Sequence, residues 1–394
     1  MTMALTCAQT DWMKAKSKGE CVRVLAFDLS AAFDTISCPT LLAKLESSGI
    51  SGVPLKWFRS YMEGRSQKVL WNDKMSQARP VTHGVPQGSI LGPTLFLVMV
   101  ADMPKYVIGD TPNAKMFSYS DDSTVYVHSK NVCLLKNTLE ILSNRIIEYC
   151  KSAGLILNNE KTQFLVSPKQ SCEIKIGSSL ISSKNEINIL GIEFDSNFTT
   201  LPYLNKLARA ANTRAAIISR LSFSMPPHLL STFANGLLIG KILSACPITI
   251  PIRLGDQDRS FIGVTEEINK SIKATARSIT RTKLSDKIRS KEVLRKANLK
   301  CLNESVASVM VAVTVWKSRQ SMNPIGQCLF KEKSCIRSTR FQNSKEIQLP
   351  VPGYPNLASN LMARVWSNIP ALQNASSLGA AKAISHKWAR AIPR

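Results

Sequence analysis

The sequence predicts an α+β fold, an antiparallel sheet with packed helices in the first half and helix after helix beyond residue 202. Three observations predict it. Between residues 21 and 194, short β-branched and aromatic runs alternate with segments of helical periodicity. The stretch MFSYSDDSTVYV (116–127) reads as strand, turn, strand, with two carboxylates at its tip. From Pro202 the apolar residues recur at helical spacing, punctuated by Pro226-Pro227, Pro247 and Pro251. The length of 394 residues allows two or three domains, and 44% hydrophobic with 20% charged residues is the composition of a globular chain.

Taken in order, residues 3–18 suit a helix with Leu5, Ala8, Trp12 and Ala15 on one face, ended by Lys18-Gly19. Cys21–Leu29 reads as a buried strand. Pro39–Ser48 is a helix opened by proline, and Val53–Met62 is another, with Leu55, Phe58 and Met62 at helical spacing. Gln67–Trp71 and Ala78–Thr82 look like paired strands around Asn72-Asp73. Gln87 is expected to open a helix that Pro93 kinks. Residues 115–127 form the acidic hairpin. Leu134–Ala153 is a long amphipathic helix closed by Gly154. Strands are expected at Thr162–Val166 and Ile187–Phe194, then helices at 202–221, 227–245, 262–284 and 290–316. Residues 320–355 read as loop, and 357–390 as helix broken near Pro370. The expected domains are 1–166, 167–250 and 251–394.

The formal net charge is +24. Residues 1–250 carry 26 Lys/Arg against 18 Asp/Glu, and residues 251–394 carry 25 against 9, so the positive field is concentrated towards the C-terminus. Such a chain favours a polyanionic partner, nucleic acid before membrane surface. Ten cysteines with no C-x-x-C pair and four histidines give no local zinc spacing. Free thiols in a reducing compartment fit best, Cys328 and Cys335 being the closest pair in sequence. No run reaches the ~18 apolar residues of a membrane span. The N-terminus lacks the basic opening of a secretory signal. The expected location is intracellular, nuclear or cytoplasmic.

The adjacent Asp121 and Asp122 fit a solvated hairpin turn on spacing alone. A divalent cation is the alternative, and it needs a further carboxylate. Asp28, at the end of the first strand in AFDLSAAFD, is the candidate: an antiparallel sheet can bring a strand end and a turn side by side. Crowded carboxylates repel, and Mg²⁺ removes the conflict with hard oxygen ligands, leaving places for phosphate and water.

AFDLSAAFDTI, GVPQGSILGPTLF and YSDD, in this order, resemble the palm motifs of reverse transcriptases of non-LTR (LINE-like) retrotransposons. LLAKLESSGISGVPLKWFRSYMEGRSQKV, GLILNNEKTQFLV and ILGIEFDSNFT are similar to further segments of that family. The resemblance covers about residues 3–250, and the tail VWSNIPALQNASSLGAAKAISHKWA is less specific. It implies a right-hand polymerase palm, followed by an all-helical thumb-like and basic C-terminal region. The implied reaction is RNA-templated addition of deoxynucleotides to a primer 3′-hydroxyl with two Mg²⁺ ions, Mn²⁺ being an alternative. The partners would be an RNA template, a DNA primer and dNTPs, with no membrane. By motif position, Asp28 and Asp121 would be the main metal ligands, Asp122 a weaker one, and the Leu29 carbonyl a completing one. Phe33 matches the gate against a ribose 2′-hydroxyl; a core phenylalanine beside Ala31-Ala32 is its alternative. Gln87 and Gly88 match the motif touching the incoming nucleotide. Tyr119, Leu190 and Gly191 would lie along the primer, and Lys161 would steady or protonate the leaving pyrophosphate. The basic run supplies backbone contacts through Lys270, Lys273, Arg277 and Arg281. The family's fingers segment and upstream endonuclease find no match in this sequence. A catalytically inactive nucleic-acid-binding remnant is therefore the rival reading; a telomerase- or maturase-like host protein is a weaker one.

Overall fold

The computed structural model describes residues 2–246, 248–250 and 259–310, with isolated positions and short runs between 358 and 384. The chain forms two compact units, Gly19–Gly191 on one hand and Met1–Lys18 with Ile192–Arg394 on the other. The expected boundary at 166 falls one residue before the end of a strand, and the strands that follow it, up to residue 189, belong to the first of these units.

The elements are α1 (Thr2–Ser17), β1 (Cys21–Ser30), α2 (Cys38–Ser47), α3 (Gly52–Met62), the short strands β2 (Ser66–Gln67), β3 (Leu70–Trp71), β4 (Lys74–Met75) and β5 (Arg79–Pro80), α4 (Gly92–Val100) and α5 (Met103–Ile108). Then come β6 (Ala114–Tyr119), β7 (Asp122–Ser129), α6 (Val132–Ala153), β8 (Ile156–Ser167), β9 (Glu173–Ile176), β10 (Ser179–Lys184), β11 (Glu186–Ile189) and β12 (Ile192–Asp195). The helical part has α7 (Leu201–Leu221), α8 (Pro227–Ala234), a π-helical turn (Asn235–Ile239), α9 (Gly240–Leu243), α10 (Arg259–Thr280), α11 (Ser290–Lys296) and α12 (Leu302–Val309).

The first unit is built on a six-stranded sheet in the order β6-β7-β1-β8-β10-β9. Only the β8–β10 pairing is parallel. β1 is central because its near-continuous apolar run tolerates burial on both faces. One face packs Leu25, Phe27, Leu29, Val125, Val127, Phe164 and Val166 against α2, α4 and α6. A polar network ties these helices together: the Lys44 ammonium donates to Asp102 Oδ1 (2.5 Å), the Tyr149 hydroxyl (2.8 Å) and the Met99 carbonyl (2.6 Å). The acidic hairpin β6–β7, the α6 helix and its left-handed Gly154 cap stand where the sequence puts them. Asn72 and Asp73 take left-handed backbone (φ 44° and 61°), forming the tip of a two-tier hairpin of β2–β5 and β3–β4.

Several expectations are corrected. The helix expected from Gln87 begins at Gly92, because Pro93 sits in its first turn, where its fixed φ suits a start and not a kink. Gln87 and Gly88 therefore occupy the preceding turn. The strand expected at 162–166 runs from 156 to 167, and the 187–194 strand is two, separated by Leu190-Gly191 with φ of 53° and 78°. The β9–β10 hairpin and α5 went unread. The 290–316 helix breaks at Asn298, which is left-handed (φ 52°). The loop expected at 320–355 lies outside the described residues, as does much of 357–390.

In the second unit, the helices enclose a core of Leu204, Leu207, Ile218, Leu238, Ile268, Ile272, Ile279 and Val306. Trp12 of α1 is fully buried in this unit, edge-on to Phe194 at 5.6 Å between ring centroids and tilted on Phe198 at 4.9 Å. All eight described cysteines are free thiols. Among the described residues no helix is long and apolar enough to cross a membrane.

Candidate active site

The β1–β7 ladder runs in register down to Phe27↔Ser123, so Asp28 and Asp122 are the next residues on the two strands. Side-chain alternation puts Phe27 and Ser123 on the helix-packed face, and Asp28 and Asp122 together on the opposite one. Across the hairpin, Tyr119 pairs with Asp122, leaving Ser120-Asp121 as a two-residue turn. Ser120 holds the turn's left-handed position (φ 58°).

Lys161 arrives by a different device. On β8, Gln163 pairs with Ala26 and Asn158 with Asp28, so two steps along β1 face five along β8. The three extra residues bulge out, held by Asn158: its side chain accepts from the Lys161 N–H (3.2 Å) and its carbonyl from the Thr162 hydroxyl (2.7 Å). The bulge aims the Lys161 ammonium at Asp28 Oδ2, 2.8 Å away.

These groups line a cleft of about 300 Å³, with Asp28, Asp122, Glu160, Lys161, Gln163 and Lys184 around its wall. Asp121, at the hairpin tip, is not part of that lining. Asp122 keeps contact with solvent. Even so, desolvation and then the like charges of Asp121 and Asp28 push its carboxyl above the ordinary range, against the pull of Lys161. The hydrogen bond to Asp28, and the charges of Asp28, Asp121 and Asp122, hold the Lys161 ammonium protonated beyond its usual range. The three aspartates and the lysine thus feel one another's charge.

Among the described residues, no three His, Cys, Asp or Glu side chains form a ready-made metal-ligand set. The donor chemistry still suits Mg²⁺, which usually takes one or two carboxylates and completes its octahedron with water and substrate phosphates. Mutually repelling carboxylates at an open cleft are that kind of partial site, and Lys161 is the cation that balances Asp28 in the structure.

The other sequence candidates divide. Leu29 has a buried side chain and pairs with Leu157 in the β1–β8 ladder. Phe33 stacks obliquely on Phe96 of α4, with centroids 4.9 Å apart, and packs against the core edge. Gln87 donates to both carboxylate oxygens of Asp34 (2.9 and 2.8 Å), which ties its turn to the segment following β1. Gly84 makes that approach sterically feasible: a Cβ there would lie 2.7 Å from the Phe33 carbonyl oxygen, at φ +81°. Gly88, also left-handed (φ 78°), faces open space. Tyr119 is half exposed beside the acidic turn. Leu190 lines the same cleft as Asp28, and the Gly191 N–H donates to Asn188 Oδ1 (2.9 Å).

In the helical unit, Lys270, Lys273 and Arg277 fall on one side of α10, opposite the buried Ile268, Ile272, Ala276 and Ile279, and Arg281 follows the helix end in left-handed backbone (φ 55°). Arg277 is engaged by the carbonyls of Lys283 (3.1 Å) and Ile288 (3.5 Å), so it also fastens the loop after α10. Sequence reasoning missed Lys184, a cleft-lining cation; its only signal was a place on a strand that was not foreseen.

Comparison with known proteins gives the following. The family described as reverse transcriptase (RNA-dependent DNA polymerase) matches residues 3–194. The RNA-directed DNA polymerase from mobile element jockey of Drosophila melanogaster is 27% identical over 225 residues, 56% of this chain and 24% of the relative. Its counterpart from Drosophila funebris is 29% identical over 210 residues, 51% of this chain and 23% of the relative. The Pol polyprotein of the type-1 retrotransposable element R2 of Popillia japonica is 22% identical over 206 residues, 49% of this chain and 34% of the relative. The matched region thus spans about a quarter of the jockey polymerases. Among solved structures, a telomerase from Candida albicans in complex with a fragment of telomeric RNA aligns with a TM-score of 0.44 at 13% identity, over 76% of this chain and 54% of that one.

Proposed function

Residues 3–194 are a reverse transcriptase domain of the non-LTR retrotransposon type, and from that premise we propose that the chain catalyses RNA-templated addition of deoxynucleotides to a primer 3′-hydroxyl. The observation that carries the reading is the β1–β7 register, which sets Asp28 and Asp122 side by side next to the Asp121 turn, in a cleft with Lys161.

Reverse transcriptases generally use divalent metal ions. In this chain Asp28 and Asp122, with Asp121 at the turn, would hold them, two Mg²⁺ ions being the best match to the donors. When bound, they supply polarisation of the attacking hydroxyl and charge neutralisation at the departing phosphate. The nucleophile comes from the primer, so no side-chain nucleophile is needed. Lys161 stands at the cleft with its proton firmly held, and donates it to, or stabilises, the leaving pyrophosphate. The Gln87–Asp34 pair keeps the 84–91 turn beside the end of β1, where Gly88 leaves room for nucleotide. Phe33, fixed against Phe96, presents a rigid ring to exclude a 2′-hydroxyl. Tyr119, Leu190 and Gly191 line the primer side. The sheet unit serves as palm and the helices after β12 as thumb, and the protein works inside the cell. The test is extension of oligo(dT) on poly(rA) by purified protein, with Asp28→Asn as control; equal incorporation by both overturns the reading.

Two observations favour the second reading, a nucleic-acid-binding remnant without activity. Asp28 is already neutralised by Lys161, and no three-carboxylate set stands ready among the described residues. It predicts salt-sensitive RNA binding with no incorporation at any Mg²⁺ or Mn²⁺ concentration.

A further inference from the structure

The helical unit contains a second cleft, of about 750 Å³, where the start of α8, the end of α10 and the end of α11 meet. Its floor is Ile279 and Ala297, both buried. Its polar walls come from His228, Ser231, Thr232, Asn235, Thr280 and Asn298, and its cations are Arg281 and Lys296. No carboxylate is among the lining residues.

The walls are fixed by hydrogen bonds within the unit. The Ser231 hydroxyl donates to the Ala297 carbonyl (2.7 Å), and the Asn235 amide to the carbonyls of Ser231 (3.0 Å) and Asn298 (3.4 Å). These bonds lock α8 to the turn after α11, so the cleft does not depend on a ligand for its shape. Both helix ends that supply its cations are set by left-handed residues, Arg281 (φ 55°) after α10 and Asn298 (φ 52°) after α11. Arg281 donates one N–H to the Ser222 carbonyl at 3.3 Å. A guanidinium has five donors, so most of its fork remains for a ligand. Lys296 pairs with Glu292 of its own helix at 3.3 Å, both about half exposed. Such a pair contributes little and exchanges readily.

The third wall is the start of α8. Pro226 is its cap and offers no side-chain acceptor, so the first N–H groups lack the usual capping partner. Amide donors, hydroxyls and two flexible cations around an apolar floor, with no acid among them, are the chemistry of an anion seat. The surroundings extend it. Residues 270–300 carry 11 Lys/Arg against 2 Asp/Glu, and the outward stripe of α10, Lys270, Lys273 and Arg277, leads to Arg281 at the rim.

We propose that this cleft seats a backbone phosphate of a nucleic-acid strand that runs along the basic side of α10, held by Arg281, Lys296 and the amide end of α8. The proposal rests on the reading that the chain binds nucleic acid, and it names a seat within the helical unit, formed by none of the aspartates, that fixes the strand without reading its sequence. Arg281→Gln/Lys296→Gln is compared with wild type and with the charge-matched Lys136→Gln/Lys169→Gln, both positions exposed in the sheet unit. Binding of a fluorescent oligothymidylate to the full chain is followed by anisotropy across a salt series, without nucleotides or metal. The slope of log K against log salt is expected to fall by about 0.7 to 1.4 in the cleft variant, at ~0.7 per single-strand phosphate contact, and to stay unchanged in the control. Arg281→Lys/Lys296→Arg, which keeps the charge, retains the wild-type slope and shows that the loss is not unfolding. A wild-type slope in the cleft variant overturns the proposal. So does a calorimetric signal for inorganic phosphate that the double substitution abolishes while the oligonucleotide slope holds, which makes the cleft a small-anion site. A chain that passes this test but never extends a primer overturns the polymerase reading alone; one that extends primers with its slope unmoved overturns the cleft alone.

Discussion

The two units carry charge in opposite ways. Residues 19–191 hold 18 Lys/Arg against 15 Asp/Glu, a net of +3; the remaining residues hold 33 against 12, a net of +21. The sheet unit is nearly neutral, yet it gathers three aspartates at one end of its central strands, where desolvation and the like charges of Asp121 and Asp28 raise the Asp122 carboxyl. The helical unit repeats one sign over long stretches and has a cleft lined by two cations and no carboxylate. A site for chemistry needs a few opposed charges placed to within an ångström by a ladder, whereas a grip on a polyanion needs many like charges and tolerates loose placement. The contrast teaches that rate should reside in the first unit and salt dependence in the second.

The sharpest way to break that division is Asp28→Asn. Loss of one carboxylate that would neutralise and place the reacting phosphate removes several kcal/mol of transition-state stabilisation, which is about 10³-fold in incorporation at 1.36 kcal/mol per decade. The salt slope of oligonucleotide binding is expected to stay at the wild-type value. A parallel loss of binding would mean that the sheet unit grips as well as reacts, and the division would fail.

Lys161→Ala comes next. Removal of a general acid costs about 10²-fold in kcat, and KM for the nucleotide should move far less. The pH profile distinguishes proton donation from mere charge balance: the variant loses the alkaline limb of the rate if Lys161 donates, and keeps its shape if the lysine only neutralises Asp28. Lys161→Arg restores the charge and not the proton, so it separates the two roles a second time.

How much of this was legible in the sequence follows the kind of interaction. The β1 strand, the acidic hairpin, α6 with its Gly154 cap and the Asn72-Asp73 turn were readable because each is set by residues close in sequence: apolar runs, helical spacing, a left-handed glycine. The helix start at Gly92 was misplaced because Pro93 reads equally as kink or opening until the preceding turn is seen to be tied to Asp34. The acidic trio was readable as types and as motif order. That Asp122, and not Asp121, shares the cleft with Asp28 depends on the β1–β7 register, a nonlocal fact. The Lys161 bulge was illegible for the same reason, since three surplus residues on β8 exist only relative to β1. The second cleft was invisible altogether: the run of cations announced a polyanion partner, but its walls come from three separate segments between residues 227 and 298.

A structural control on the comparison is the Lys44–Asp102–Tyr149 network, which touches neither cleft. Burial works to raise the Asp102 carboxyl, but hydrogen bonds from Lys44 and Tyr149, and the Lys44 charge, outweigh it and leave the group below its ordinary 3.8. Burial and the neighbouring Asp102 push the Tyr149 phenol upward, so it stays a donor. Lys44→Met is expected to cost about 1.5–3 kcal/mol, the range for hydrogen bonds to a charged group. Because the folded carboxyl lies below its unfolded value, the contribution is present above about pH 4 and is lost as pH falls through the depressed value. Denaturation of wild type and variant should therefore draw closer in acid without meeting, since the Lys44 bonds to the Met99 carbonyl and the Tyr149 hydroxyl do not titrate there, with salt slope and kcat in the folded range unchanged.

The smallest effect is the most telling for the acidic cleft. Asp122 is partly desolvated and held among like charges that Lys161 only partly offsets, so Asp122→Asn should make the metal-free protein more stable. The gain is bounded by solvent screening at an exposed group, at most about 1 kcal/mol, which corresponds to a rise in Tm of at most roughly 2–4 °C for a unit of this size. A cation that binds only the folded state adds its own stabilisation in proportion to the logarithm of its concentration over Kd. Mg²⁺ should therefore raise the Tm of wild type and not that of the variant, so the order of stability inverts as Mg²⁺ is added. If the aspartate is a turn residue and nothing more, Asp122→Asn leaves the metal-free Tm where it was and Mg²⁺ shifts both proteins alike. An inversion ties the repulsion among these carboxylates to the cation they are arranged to receive, and it does so without any measurement of catalysis.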